Sequence, residues 1–244
     1  MRVLVLVPTY NESESVVKLL DRLAGVRETL TSDGHEVRVL VIDDNSPDGT
    51  AELVDGQGLD WVEVLRRPGK SGLGPSYIAG FGWGLERGFD LMVEMDADLS
   101  HQPEALPNLI APVATDQADL TIGTRWMPGG KVINWPISRQ LISRVGTGYA
   151  RIALGLELRD VTSGYRVFHQ RVLTSIDFDR IESQGYGFQI EMVLRTLEGG
   201  YRVKEVPITF VEREGGVSKM SKRIVIEALW KVTVWGLQRL IVRR

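Results

Sequence analysis

Three times in its first hundred residues the sequence runs through a short apolar stretch and stops on a polar or acidic cluster. Residues 3–7 lead into Pro8-Thr9-Tyr10-Asn11-Glu12, residues 37–42 into Asp43-Asp44-Asn45-Ser46, and residues 91–95 into Asp96-Ala97-Asp98. Short, β-branched apolar runs bounded by turn residues read as buried strands. Between them lie stretches with helical spacing. One covers 13–24, with Val16, Val17, Leu19, Leu20 and Leu23 on one face; one is a short helix to Asp55 after the turn Ser46-Pro47-Asp48; one covers 71–87 despite its glycines. Residues 62–65 supply a further strand. Strands alternating with helices predict an α/β fold, a Rossmann-like, mostly parallel central sheet with helices on both faces. Such sheets bind ligands beyond the carboxyl ends of their strands, so the three clusters at one edge define a candidate site.

The second half is less regular. A strand is expected over 120–123, a helix over 137–154 carrying Arg139, Arg144 and Arg151, a late strand over 203–211 broken by Pro207, and a final helix over 218–242. No internal repeat or linker interrupts the 244 residues, and one catalytic unit over 1–217 with a C-terminal helix over 218–244 is the economical division.

Charge is unevenly spread. The net charge is only −3, yet 217–244 carries seven lysines and arginines against Glu227 alone, which points to a local anionic partner. No cysteine is present, so disulfides and thiolate metal sites are excluded. The opening apolar run is too short for a signal peptide, and no segment reaches the ~20 apolar residues of a membrane span. A cytoplasmic protein, peripheral to the membrane, is the expectation, and no nucleic-acid partner is expected.

Asp96 and Asp98 are one residue apart at a strand end, where extended geometry lets both carboxylates approach one cation. A hard divalent ion, Mg²⁺ or Mn²⁺, suits such oxygen ligands and leaves positions for substrate phosphates. His101 is near enough in sequence to be a further ligand or to act from behind one. A solvated turn is the competing reading of Asp-x-Asp. For Asp43 and Asp44 the alternatives are a helix cap with Ser46 and Asp48, or a carboxylate that reads a base or ribose. The loop 69–74, with Lys70, is glycine-rich and basic but lacks the spacing of a P-loop.

Taken together these blocks resemble the inverting glycosyltransferases of GT-A fold, and within them the dolichol- or polyprenol-phosphate mannose synthases. The likeness runs from 7–12 through 41–50 and 95–101 to Gly123-Thr124-Arg125, Ile142-Ser143-Arg144, 160–166, 187–192, 206–210 and 213–220. It implies a nucleotide-sugar donor and a lipid phosphate acceptor. Pro8, Tyr10, Glu12, Asp44 and Lys70 would line the nucleotide pocket. Asp96 and Asp98 would hold the metal on the donor diphosphate, with Ser100 a third ligand in question because some relatives have glutamine there. Arg125, Arg139, Ser143, Arg166, Arg213 and Lys219 would contact donor or acceptor phosphates, and Gln189 and Glu191 would complete the sugar side. The implied reaction is transfer of mannose from GDP-mannose in a single inverting displacement. A UDP-hexose donor is the alternative within enzymes, and a catalytically silent membrane adaptor the alternative outside them.

The acceptor of such a reaction stays in the bilayer. The final helix sets Arg223, Glu227, Lys231 and Gln238 on a narrow face, with Ile224, Leu229, Trp230 and Trp235 among the apolar rest, as an interfacial helix would. Packing of that apolar face on the core is the competing reading. The helix over 137–154 is a second candidate for the membrane surface. Many relatives carry transmembrane helices after the catalytic unit, so the resemblance also admits an integral membrane partner.

Overall fold

The computed structural model describes residues 1–181, 183–212 and 222–242, and the side chains of the last helix from 226 to 239. In chain order its elements are β1 (Arg2–Thr9), α1 (Val16–Ser32), β2 (Glu36–Asp43), α2 (Thr50–Asp55), β3 (Val62–Arg66), α3 (Leu73–Glu86), β4 (Leu91–Glu94) and α4 (Leu106–Ala114). There follow β5 (Leu120–Thr124), β6 (Lys131–Ile133), α5 (Ile137–Leu154), β7 (Arg166–His169), α6 (Gln170–Ser175), α7 (Tyr186–Glu198), β8 (Val203–Pro207), β9 (Thr209–Val211) and α8 (Lys222–Val242).

Seven strands form one sheet in the order β3-β2-β1-β4-β7-β5-β8. All neighbours are parallel except β7, which runs antiparallel to both β4 and β5. The pleat of β1 sorts the core. Val3, Val5 and Val7 join Leu19, Leu20 and Leu23 of α1 and Leu109 and Val113 of α4. Leu4 and Leu6 face the other way, toward Tyr77 and Phe81 of α3, Val172 of α6 and Phe188 of α7. With both faces covered, β1 has no polar side to show, which is why residues 3–7 are apolar without alternation.

Two expected elements take a different form. The first helix runs on to Ser32 because Val26 and Leu30 continue its buried stripe past Gly25. The expected strand over 203–211 is two strands in two sheets. β8 pairs with β5 up to Pro207, and β9 pairs in parallel with β6 in a separate two-stranded sheet. Pro207 has no N–H for a ladder, so the chain changes partners there. The helix α4 and the short β6 escape sequence reading, and β7 falls among short elements expected between the glycine turns at 163–165 and 185–187 without a type.

The last helix packs on α5 and α7, where Val232 meets Ala150, Leu154, Ile190 and Leu194. Contact is close enough that a Cβ on Gly236 would lie 2.6 Å from the carbonyl oxygen of Ala153. We expect Gly236→Ala to destabilise the fold by about 1–3 kcal/mol, because backbone cannot yield as a side-chain tip can. Gly82 of α3 has nothing within 4 Å of its Cβ position, and Gly82→Ala should stabilise by about 0.5–1 kcal/mol. Thermal unfolding of the two variants checks the opposite signs, and a stabilised Gly236→Ala would mean that α8 docks less tightly than described. Among the described residues no helix is long and apolar enough to cross a membrane.

Candidate active site

A cavity of about 550 Å³ opens at the carboxyl ends of β1, β2 and β4. The loop after β1 brings Pro8, Tyr10 and Glu12 to its wall, and Lys70 reaches the same wall with its Nζ 4.2 Å from the Tyr10 ring centre. The Asp43–Asp44 ambiguity divides between the two residues. Asp43 holds the loop: its carboxylate accepts from Thr9 Oγ1 at 2.8 Å and from the Ser46 N–H at 2.8 Å. Asp48 tightens the turn into α2, accepting from the N–H of Thr50 at 3.1 Å. Asp44 lines the cavity, where it accepts from Arg67 Nη1 at 2.7 Å, Ser71 N–H at 3.1 Å and Ser76 Oγ at 3.1 Å. Arg67 is absent from the sequence-derived set; its only signal is a basic residue just past a strand end.

The turn after β4 brings Asp96, Asp98, Ser100 and His101 to the cavity floor. Leu99 sits at φ 62°, a left-handed conformation that a branched-chain residue adopts only when its surroundings impose it. Asp98 Oδ1 accepts from the Ser100 N–H at 3.0 Å, which tightens the turn. His101 is buried between the rings of Tyr165, 4.9 Å away and nearly parallel, and Phe210, 5.5 Å away and edge-on. Burial pulls its pKa down to about 4, so the ring is neutral. Its Nδ1 accepts from the Asp96 N–H at 3.1 Å, which places the ring proton on Nε2. His101 therefore holds the Asp96 backbone from behind.

On the opposite wall stand two arginines among aromatic rings. Asp160 accepts from Arg125 Nε at 2.7 Å, Nη2 at 2.8 Å and the backbone N–H at 3.1 Å. The Arg125 guanidinium lies over Trp126, Trp135 and Phe210, each 5.3–5.5 Å from its Cζ. Burial works against its charge, but Asp160 more than offsets this, and the Arg125 pKa is raised. Arg139, in the first turn of α5, lies 4.2 Å over the Trp135 ring and pairs with Glu212. Gln189, 1% exposed, also lines the cavity, with its amide close to the buried Glu94 carboxylate.

Three expected site residues stand elsewhere. Arg166 is wholly buried beneath the floor, and its three nitrogens donate to the carbonyls of Ser163, Gln189 and Val161 at 2.7–2.8 Å. Bound to three carbonyls it braces the chain, and it is not among the residues that line the cavity. Its register partner on β4, Glu94, is equally buried, 4.0 Å from Arg166 Nε, with its pKa pushed up to about 7 by burial. Glu191 lies outside the cavity, held by Arg195 at 2.6 Å and by Ser183. Ser143 sits one turn beyond Arg139 on α5, away from the cavity wall. Arg213 and Lys219 lie outside the described residues. Tyr186 lines the wall, and Trp135 and Phe210 join it without having been singled out, since single aromatic residues in irregular sequence carry no pattern.

Residues 4–176 match the model of Glycosyl transferase family 2. Undecaprenyl-phosphate mannosyltransferase of Micrococcus luteus is 56% identical over 239 residues, which are 97% of this chain and 95% of that protein. Polyprenol monophosphomannose synthase of Mycolicibacterium smegmatis is 46% identical over 97% of this chain and 88% of its own length. Dolichol-phosphate mannosyltransferase of Pyrococcus furiosus is 36% identical, with 94% of this chain matching 62% of that protein. Among solved structures, glucosyl-3-phosphoglycerate synthase of Mycobacterium tuberculosis in complex with Mn²⁺, UDP and glucosyl-3-phosphoglycerate superposes with a TM-score of 0.69. That likeness covers 95% of this chain and 80% of the other at 18% identity, and so speaks for the GT-A fold alone. The chain is a glycosyltransferase and belongs to glycosyl transferase family 2.

Proposed function

We propose that the protein transfers mannose from GDP-mannose to the phosphate of a polyprenyl lipid at the cytoplasmic face of a membrane, with inversion at the sugar carbon. The observation that carries this reading is one continuous cavity. It joins an acidic and aromatic nucleotide end (Tyr10, Asp44), a two-carboxylate floor (Asp96, Asp98) and a wall with two arginines (Arg125, Arg139). The three relatives bear mannosyltransferase or mannose synthase names with a polyprenyl or dolichol phosphate acceptor, and sequence likeness extends over nearly the whole chain.

A phosphate monoester is largely dianionic at neutral pH, since its second pKa is near 6, and it needs no strong base to attack. The harder task is to bring two anions together. Arg125 and Arg139, set among aromatic rings that exclude water, offset the acceptor's charge, Arg139 with a fork that can bind phosphate oxygens in pairs and Arg125 with the Nη1 that Asp160 leaves open. The Gln189 amide, which lines the cavity, carries both donor and acceptor groups, a match for sugar hydroxyls. Asp44, already oriented by Arg67, is the acceptor for a base or ribose.

The donor set on the floor fits Mg²⁺ or Mn²⁺. Among the described residues no three acidic or histidine side chains gather into a closed cage, and the His101 Nδ1 is taken. Asp96 and Asp98 remain, with Ser100 beside them, an oxygen set that donor phosphates would complete. Bound there, the cation would offset charge building on the departing diphosphate.

The lipid surface fits the outer face of α5. Ile137, Leu141, Ile142, Val145 and Ile152 are exposed along one side of that helix, with Arg144 beside them, and Ile226, Trp230 and Leu237 are exposed on α8. An apolar row with basic neighbours, starting two residues from Arg139, would hold the bilayer where the acceptor phosphate enters. Lys222 and Arg223 of α8 lie outside the described side chains, and Arg243 and Arg244 outside the described residues.

The test incubates the protein with vesicles carrying a polyprenyl phosphate, Mn²⁺ and labelled GDP-mannose or, separately, UDP-glucose. Label in the lipid from GDP-mannose, with the β-mannosyl phosphate as the only anomer, is expected. Transfer only from UDP-glucose would correct the donor, a retained anomer would overturn the single displacement, and no transfer from either donor would overturn the reading.

A further inference from the structure

We propose that Glu212 is the positioning residue for Arg139, fixing one edge of its guanidinium so that the other edge is set for the acceptor phosphate. The inference rests on the reading of the cavity given above. One Arg139 nitrogen, Nη1, lies 2.5 Å from both carboxylate oxygens of Glu212. The plane of the guanidinium is supported by Trp135 at 4.2 Å. Arg139 and Trp135 line the cavity, and Glu212 does not, so the carboxylate holds the arginine from the side away from substrate. Among the described residues the Nε and Nη2 of Arg139 make no hydrogen bond, and these two parallel N–H groups form the fork that binds two phosphate oxygens at once.

The two-stranded sheet sets this geometry. β6 ends at Ile133, two residues before Trp135, and β9 ends at Val211, one residue before Glu212. The strands pair Ile133 with Val211, and the Glu212 N–H donates to the Ile133 carbonyl at 3.0 Å. The ring beneath Arg139 and the carboxylate beside it are therefore placed by one short ladder. The same strand reaches the metal floor: the Val211 N–H donates to the Ser100 carbonyl at 3.1 Å, and Phe210 packs on His101. Arg125 is held in a complementary way, with Asp160 on its Nε and Nη2 and its Nη1 without a hydrogen bond among the described residues. A pinned arginine binds an anion without first losing the freedom of a long side chain, which is the gain from positioning.

A carboxylate this close to an arginine could instead compete with the phosphate for it, and the two roles have opposite signs. Binding of farnesyl phosphate is measured by tryptophan fluorescence, which needs no turnover, and the KM for acceptor and donor is measured separately. Positioning predicts that Glu212→Gln weakens farnesyl phosphate binding and raises acceptor KM by about five- to tenfold, with donor KM unchanged. Glu212→Asp, which keeps the charge but withdraws it, should fall between. Unchanged or tighter farnesyl phosphate binding in Glu212→Gln, or an equal change in donor KM, overturns the proposal. Failure of the functional reading looks different: wild-type protein would bind farnesyl phosphate without transferring label to it.

Discussion

Asp98→Ala should lower sugar transfer by about 10³-fold while the protein keeps its fold. A divalent cation on a leaving diphosphate contributes several kcal/mol of charge stabilisation, and about 4 kcal/mol corresponds to that factor. Asp98 lies in a partly exposed turn and lines the cavity, where its Oδ1 accepts from the Ser100 N–H. Asp96, by contrast, is tied through its backbone to a buried histidine, and a change there disturbs the floor as well. The experiment therefore uses Asp98. Activity is read in excess Mn²⁺, GDP binding is read with and without Mn²⁺, and wild-type protein treated with EDTA serves as the reference. The variant should match the EDTA-treated protein in both readings. If GDP binding by Asp98→Ala keeps its dependence on Mn²⁺, the cation is held elsewhere and the two-carboxylate floor is wrong.

What the sequence discloses about this site, and what it conceals, follows from how each residue acts. Pro8, Tyr10, Glu12, Asp44, Asp96 and Asp98 follow apolar strands, so period and position alone bring them to one sheet edge, and all of them line the cavity. The parallel half of the sheet was legible for the same reason. β7 was not, because its four residues run antiparallel between two strands that are distant in sequence, a partnership that no local pattern encodes. Arg166 differs from the expectation drawn from its motif, which places it at a phosphate. Its burial and its three carbonyl partners, unreadable from sequence, make it a brace. Arg67 and Glu212 were missed for a related reason. Each acts on a second side chain and not on the cavity, so neither belongs to a pattern that chemistry alone would single out.

The second large effect concerns Asp160, which opens one of the matched blocks but has no role in the expected site. Its carboxylate is wholly buried and takes two side-chain N–H groups and the backbone N–H of Arg125, itself only 6% exposed. Asp160→Ala would leave a buried guanidinium without a counter-charge, a change that costs about 3–5 kcal/mol. In a chain of this size that lowers Tm by about 10 °C, and it is a large part of the about 5–15 kcal/mol that holds such domains folded. Asp160→Asn keeps an acceptor oxygen and should cost less. Removing the arginine charge as well distinguishes an uncompensated charge from a damaged core. The double variant Asp160→Asn with Arg125→Met should regain most of the lost stability, because the pair's attraction and the desolvation of both charges vanish together. It should not regain transfer, since Arg125 lines the cavity where the acceptor phosphate would lie. Thermal unfolding of the two single variants and the double variant completes the cycle. Additive losses would mean that Asp160 stabilises the fold through its own loop, and that the ion pair does not couple the cavity wall to the core.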